Sequence, residues 1–117
     1  MTDHQETIYI LDQVTPKPGK AEAFLKAYMD RYAPGARARG MTLEHTWITP
    51  PMWLDSESNT LFIVWSLKGA GNWWAMNHMG RREKDVLDWW ADADSMIESR
   101  KRSFLGNVAD IASFVDV

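Results

Sequence analysis

Seven tryptophans in 117 residues are the feature of this sequence that most constrains its fold. Tryptophan is large and its indole N–H needs a partner, so it usually lies where an apolar region meets a polar one. A domain of this size needs only one or two tryptophans to fill its core. The middle third of the chain holds five of them and two of the three histidines, namely Trp47, Trp53, Trp65, Trp73, Trp74, His45 and His78. This clustering predicts an aromatic-walled pocket for a small molecule; the alternative is a core with a hydrophobic dimer interface.

Charge, cysteine content and hydropathy exclude several classes of function. The net charge is −3 and the short basic runs are interleaved with acidic residues, so no clustered positive surface for nucleic acid is expected. The sequence contains no cysteine, which rules out disulfides, a thiol nucleophile and cysteine-bound zinc. No basic and apolar leader and no apolar run of about 18 residues is visible. We therefore expect a cytoplasmic protein that binds neither nucleic acid nor membrane.

The first half of the chain carries signals for three strands and one helix. Residues 7–14 are rich in β-branched and aromatic side chains and stop at the breaker cluster 15–19, which predicts a strand. Helical spacing of apolar residues predicts a helix over 21–32, ended by Pro34 and Gly35. Residues 41–48 alternate, which predicts a strand with its odd-numbered face covered. Residues 60–67 are apolar on both faces, as in a doubly buried strand, and the loop 50–59 joins these two strands in a hairpin.

The second half predicts two helical segments and a last strand. Asn72 is the expected N-cap of a helix through Met79, and a longer helix is expected from residue 82 to residue 104. Its core stripe consists of Val86, Trp90, Ala93 and Ile97. Residues 111–115 predict a short final strand. The order β-α-β-β-α-β predicts a single α+β domain over 1–117, a ferredoxin-like antiparallel sheet with both helices on one face.

The sheet face turned away from the helices needs a cover. The residues expected there are apolar, namely Ile8, Ile10, Val14, Phe62 and Val64. Sheet-to-sheet pairing of two copies hides such a face economically, so a homodimer is expected.

The element order, the chain length and the segment LFIVWSLKG, which leads into an aromatic-rich helix, resemble the dimeric α+β barrel superfamily over nearly the whole chain. That superfamily includes antibiotic-biosynthesis-type cofactor-free monooxygenases, haem-degrading monooxygenases, muconolactone-isomerase-like enzymes and polyketide cyclases. The resemblance implies a cavity between the sheet and its helices. Its implied floor is Tyr9, Leu11, His45, Trp47, Ile63 and Trp65, and its implied walls are Tyr28, Trp73 and His78.

Three residues are candidates for acid–base catalysis. His45 or His78 can take a proton, and Tyr9 can donate one to a developing oxyanion. The alternatives are a satisfied core histidine at 45 and a turn histidine at 78. The expected substrate contacts are aromatic rings and one carboxamide, namely Trp47, Trp65, Trp73, Trp74, Tyr28, Trp53 and Asn72. Trp53 lies in the loop 50–59, which serves either as a lid or as a dimer contact.

Cofactor use has little support in the sequence. The interval from His45 to His78 matches no metal motif. Haem is a minor alternative, because haem degraders of the superfamily pair a strand tryptophan with a helix histidine, as Trp65 and His78 do in part; their first-strand asparagine has no counterpart here. We therefore expect a cofactor-independent lyase, isomerase or cyclase acting on an aromatic or flat hydrophobic small molecule. The alternatives are a cofactor-free or haem-degrading monooxygenase and a non-catalytic ligand-binding or structural dimer.

Overall fold

Up to the end of the third strand, the strands and helices follow one another in the order predicted from the sequence. The computed structural model describes residues 6–69, 71–73, 75 and 83–115. Within these ranges the strands are β1 (Thr7–Pro16), β2 (Thr42–Thr49), β3 (Thr60–Lys68) and β4 (Ile97–Gly106). The helices are α1 (Ala21–Ala27), α2 (Ala33–Ala38), α3 (Lys84–Ala93) and α4 (Ile111–Val115), and residues 71–73 are also helical.

The described strands form one antiparallel sheet in the order β2-β3-β1-β4. β1 occupies an inner position, where Ile10 lies opposite Trp65 of β3 on one side and Phe104 of β4 on the other. This sheet with its helices confirms the predicted α+β class and is consistent with a ferredoxin-like fold.

The faces of β1 were predicted the wrong way round. Directly opposite residues of an antiparallel pair share a face, and Ile10 of β1 lies opposite Trp65 of β3. Even-numbered residues of β1 therefore face the helices together with odd-numbered residues of β3. Ile10 and Val14 are fully buried there, whereas Tyr9 and Leu11 lie on the opposite side, which we call the outer face. Both sides of β1 carry apolar residues, so the sequence of β1 alone does not indicate which side is buried. The register of β1 with β3 decides it.

A bulge in β2 overturns the prediction that its odd-numbered face is covered. Leu43 pairs with Trp65 but His45 pairs with Val64, so Glu44 is an extra residue in β2. Beyond the bulge the alternation is inverted. Leu43 packs against the core, whereas His45 and Trp47 lie on the outer face and are exposed.

The first helical run continues past the predicted stop at Pro34 and Gly35. A π-helical turn over Tyr28–Tyr32 joins α1 to α2, and the Ala33 N–H donates to the Tyr28 carbonyl. Pro34 then stands at the start of α2, where a residue without an N–H is tolerated. The turn leaves Tyr28 and Tyr32 both buried, with ring centroids 4.9 Å apart.

The last third of the chain differs from the prediction. α3 ends at Ala93, a 3-10 turn spans Asp94–Met96, and β4 starts at Ile97, so the predicted helix to residue 104 is wrong in its second half. The predicted strand over 111–115 is the short helix α4. Ile97 stands where the apolar stripe of α3 would continue, so the sequence pattern does not indicate that the helix ends before it. Pairing of β4 with β1 along its length overrides the helical periodicity of this polar segment.

The loop between β2 and β3 is organised around Asn59, whose side chain is buried. Its Nδ2 donates to the carbonyls of Thr49, Pro50 and Met52 at 3.5, 3.4 and 2.8 Å, and its Oδ1 accepts from the Leu54 N–H at 3.1 Å. One carboxamide therefore satisfies several backbone groups of a loop that has no regular structure.

Candidate ligand-binding cleft

A cleft of about 720 Å³ opens at the end of the sheet where β2 begins and β3 ends. This volume lies in the range of small-molecule sites in proteins. Its described lining comes from the end of α2, from both strands and from the helical residues after β3. The lining residues are Ala38, Arg39, Gly40, Thr42, Glu44, Ser66, Leu67, Lys68, Asn72 and Ala75.

The polar groups of the cleft are held by hydrogen bonds. The Ser66 hydroxyl donates to the Glu44 carboxylate with an Oγ–Oε2 distance of 2.5 Å, in the short range of charge-assisted bonds. The Asn72 carboxamide donates to the Lys68 carbonyl at 2.9 Å, and the Lys68 ammonium donates to Thr7 Oγ1 at 2.9 Å. The β2 bulge brings Glu44 to this position, so the same irregularity that inverts the strand supplies the cleft with a carboxylate.

Arg39 at the end of α2 is the most buried charged side chain of the cleft. Only 3% of its side chain is exposed, and its Nη1 lies 3.1 Å from Glu83 Oε2. It also lines a smaller neighbouring cavity of about 170 Å³ together with Tyr32, Glu83 and Val86. Arg39 therefore separates two cavities.

A second polar cluster lies between the sheet and the helices and is closed to ligands. Asp12 is fully buried and accepts from Arg102 Nε and Nη2 at 2.6 and 2.7 Å and from the Tyr28 hydroxyl at 2.9 Å. Arg102 also donates to the Tyr32 hydroxyl at 2.8 Å, and Trp65 Nε1 donates to the Tyr28 hydroxyl at 2.6 Å. This network ties β1, β3 and β4 to the π-helical turn.

Burial changes the proton affinity of two members of this network. Desolvation raises the pKa of the Tyr28 hydroxyl well above its usual range, and the charge of Asp12 raises it further. Desolvation alone would lower the pKa of Arg102, but the hydrogen bonds and charge of Asp12 outweigh it and raise that pKa above its usual value. The Tyr28–Asp12–Arg102 cluster is therefore a neutral hydroxyl beside a tightly held ion pair, suited to holding the core together.

The predicted site residues divide between these regions. Asn72 lines the cleft, whereas Trp65 and Tyr28 are fully buried in the polar cluster. Trp65 is enclosed by Tyr28 and Tyr32, with ring centroids 6.4 and 6.3 Å away, so its ring has no free face for a haem.

The other predicted residues lie elsewhere. Tyr9, His45 and Trp47 share the outer face, where the rings of His45 and Trp47 stack with centroids 4.2 Å apart. Trp73 packs edge-to-face on Phe104, with centroids 5.0 Å apart. Trp53 is exposed in the loop 50–59, and Trp74 and His78 lie outside the described residues.

Four polar residues of the cleft were not among the residues predicted from the sequence, namely Arg39, Glu44, Ser66 and Lys68. Glu44 sits beside His45 in an alternating stretch, where it has the pattern of a solvated strand residue. Arg39 follows the two residues that were expected to end the helix. The signal that was present is the polar Ser66 inside the apolar run 61–67, since a hydroxyl in a buried strand needs a partner.

In the described ranges, no group of three histidine, cysteine, aspartate or glutamate side chains is placed to hold a metal ion. No helix of these ranges is long and apolar enough to cross a membrane.

Comparison with known proteins identifies the fold but no family. No protein-family model and no curated protein matches the chain. A NIPSNAP family protein of unknown function from Agrobacterium tumefaciens is 12% identical with a TM-score of 0.68, covering 90% of this chain and 91% of that one. A NIPSNAP domain protein from Burkholderia xenovorans is 17% identical with a TM-score of 0.66, covering 87% and 95%. A putative antibiotic biosynthesis monooxygenase from Nitrosomonas europaea is 15% identical with a TM-score of 0.63, covering 92% and 96%.

These likenesses confirm, at the level of fold, the resemblance to antibiotic-biosynthesis-monooxygenase-like proteins. They extend it to NIPSNAP proteins. Because the sequence identities are low, these structural likenesses do not show which activity this chain has.

Proposed function

We propose that this protein is an enzyme that binds a small molecule in the cleft and moves a proton on it without a cofactor. The observation that carries the proposal is the Glu44 carboxylate, which the Ser66 hydroxyl orients inside a cleft of about 720 Å³. A positioned carboxylate beside a ligand is the usual equipment of general-base catalysis. Cofactor-independent lyase, isomerase and cyclase reactions on acidic C–H or phenol groups begin with such a proton transfer.

Each polar group of the cleft has a role in this proposal. Glu44 takes a proton from a carbon or phenol of the ligand, and Ser66 keeps the carboxylate in place. The Lys68 ammonium and the Asn72 carboxamide stabilise the enolate or phenolate that results. Leu67, Ala38 and Ala75 supply the apolar part of the lining. The catalytic roles of His45, His78 and Tyr9 stay predictions, and the experiment below compares that of His45 with that of Glu44.

We further propose that two copies pair through their outer faces. Tyr9, Trp47 and Leu105 on this face are 38%, 54% and 46% exposed, and Leu11 and Phe62 lie between them. An apolar sheet face of this kind is self-complementary about a twofold axis. In the pair, the His45–Trp47 stack lies between the two sheets.

Sedimentation velocity tests the pairing. Wild-type protein is expected at twice the mass of the 13.5 kDa chain, and Leu105→Lys is expected to sediment as a monomer. Leu87→Lys is the matched control, because Leu87 is 57% exposed on α3, away from the sheet. A monomeric wild-type protein contradicts the pairing.

Binding in the cleft is tested first, by screening phenolics, polycyclic quinones and lactones through tryptophan fluorescence. Ala38→Trp fills the cleft from an exposed position and is expected to abolish binding of any hit. Ala91→Trp is the control at an exposed position of α3. Unchanged binding to Ala38→Trp refutes the cleft as the site.

Proton transfer is then tested with the best hit as exchange of its acidic protons in deuterated water, followed by NMR. Glu44→Gln is expected to slow the exchange at least about 100-fold, as for loss of a general base. His45→Ala separates the two hypotheses, since it is expected to leave exchange unchanged if Glu44 is the base. If proton exchange persists in Glu44→Gln but is lost in His45→Ala, His45 is the general base.

A cofactor-free monooxygenase is the second candidate. It is favoured by the fold likeness to the putative antibiotic biosynthesis monooxygenase of Nitrosomonas europaea, and it starts from the same deprotonation of the substrate. Oxygen uptake separates the candidates, because an isomerase, lyase or cyclase turns over its substrate under anaerobic conditions and a monooxygenase does not.

A further inference from the structure

Arg39 carries a buried donor for which the described residues provide no acceptor. Its Nη1 binds Glu83 and its guanidinium carbon lies 5.6 Å from the centre of the Tyr32 ring, yet its Nε has no hydrogen-bond partner in the part of the chain that the structure describes. Buried polar groups in proteins are almost always paired, and a charged donor is the costliest to leave alone. The missing acceptor therefore calls for an explanation.

A second arginine of the same chain shows which acceptor fits. In Arg102 the edge formed by Nε and Nη2 holds the two carboxylate oxygens of Asp12 at 2.6 and 2.7 Å. This side-on arrangement is a common bidentate mode of arginine with carboxylates. In Arg39 Glu83 is bound by Nη1 instead, and Nε has no partner among the described residues.

The position of Arg39 leaves room for such a ligand. Arg39 lines both the cleft of about 720 Å³ and the cavity of about 170 Å³, so open space lies beside its side chain, and a ligand in the cleft reaches Nε once the guanidinium turns toward it. Lys68 adds a second positive charge to the lining. Glu44 in the same cleft disfavours a dianion such as a phosphate monoester, and a singly charged carboxylate fits better.

We infer that the ligand of the cleft carries a carboxylate and that Arg39 binds it through Nε and Nη2. The inference rests on the proposed function, since it takes the cleft as the ligand site. It adds the substrate class: an apolar or aromatic carboxylic acid whose acid group lies at Arg39 while its reacting carbon lies near Glu44.

Two probes of the same shape test the inference by calorimetric titration. 2-Naphthoate is expected to bind the wild-type protein about tenfold more tightly than 2-naphthamide, in keeping with a charge-assisted hydrogen bond. Arg39→Gln is expected to remove this difference, so that the two probes bind with similar affinity. Arg100→Gln is the control, because Arg100 is exposed on β4 and is not among the described residues that line either cavity.

Glu83→Gln keeps the inference testable even if Arg39→Gln does not fold. Removing the Glu83 charge frees the guanidinium, so the affinity for 2-naphthoate is expected to rise severalfold while that for 2-naphthamide stays the same. A purely structural Arg39–Glu83 pair predicts a lower melting temperature without this gain, and that result overturns the inference.

The other outcomes separate this inference from the proposed function. Equal affinity of the wild-type protein for both probes contradicts the inference that the ligand carries a carboxylate, but it does not contradict ligand binding in the cleft. Binding of neither probe also overturns the carboxylate, whereas the proposed function is judged by Ala38→Trp and by proton exchange on an independent ligand.

Discussion

Replacing Asp12 by alanine tests whether the buried polar cluster holds the core together. Asp12 is fully buried and accepts three hydrogen bonds, two from Arg102 and one from Tyr28. Removing one partner of a buried ion pair typically costs about 3–5 kcal/mol, because the other charge is left without compensation. Since 26% of the Arg102 side chain is exposed, water hydrates it in part. The expected loss is therefore at the lower end, about 3 kcal/mol.

Urea unfolding followed by tryptophan fluorescence measures this loss. With a denaturant slope of about 1.5 kcal/mol/M, a loss of about 3 kcal/mol lowers the unfolding midpoint by about 2 M. Asp92→Ala is the control, because it breaks the exposed Arg31–Asp92 pair and is expected to cost less than about 1 kcal/mol. The double variant Asp12→Ala with Arg102→Met is expected to be more stable than Asp12→Ala alone, since it no longer leaves a charge unpaired.

Two results would refute this reasoning. The first is a loss for Asp12→Ala no greater than that of the surface control. The second is a double variant as unstable as the sum of its single variants, which would mean that the two side chains do not act as a pair.

Three further predictions concern Tyr28, Gly19 and Asn59. Because the folded chain raises the pKa of Tyr28, its proton stays bound above about pH 10 while the unfolded chain releases it. Wild-type stability is thus expected to fall more steeply than that of Tyr28→Phe in urea titrations above that pH; equal slopes would contradict the burial argument. Gly19→Ala is expected to cost about 1–3 kcal/mol by calorimetry, because its φ is +75° and a Cβ would overlap the Asp55 carbonyl oxygen, whereas Gly71→Ala, with open space around it, is expected to be neutral. Asn59→Ala removes the acceptor of the Leu54 N–H and the donor to the Thr49, Pro50 and Met52 carbonyls, so it is expected to increase hydrogen exchange in the loop 50–59, while unchanged exchange would show that the carboxamide does not organise it.

The fold was predictable in outline because its strong signals are local. β1, α1 and β3 have the periodicities that their burial requires, and breaker residues separate them. β4 was missed because its charged sequence has no strand pattern of its own. It is a strand because β1 offers a partner and because Arg102 reaches Asp12.

The candidate site was not predictable from the sequence. The concentration of tryptophans predicted an aromatic-walled pocket, but the described lining of the cleft contains no aromatic residue. Tyr28 and Trp65 lie instead in the core, and Tyr9 and Trp47 lie on the outer face. The residues that line the cleft depend on the bulge at Glu44 and on the continuation of the first helical run to Ala38. Neither irregularity has a sequence signal stronger than the regular pattern that it interrupts.

Periodicity and chain breaks, which act between neighbouring residues, were enough to predict the α+β class and the strands and helices up to the end of β3, but not the position of β4. The tertiary structure decided which side of each strand is buried, because the register of β1 on β3 and the bulge in β2 arise from pairing across the sheet. Tyr9 and His45 thereby came to lie on the outer face, while Glu44 and Arg39, from separate parts of the fold, came to line one cleft. A site of this kind is a property of contacts between distant segments, and no single segment encodes it.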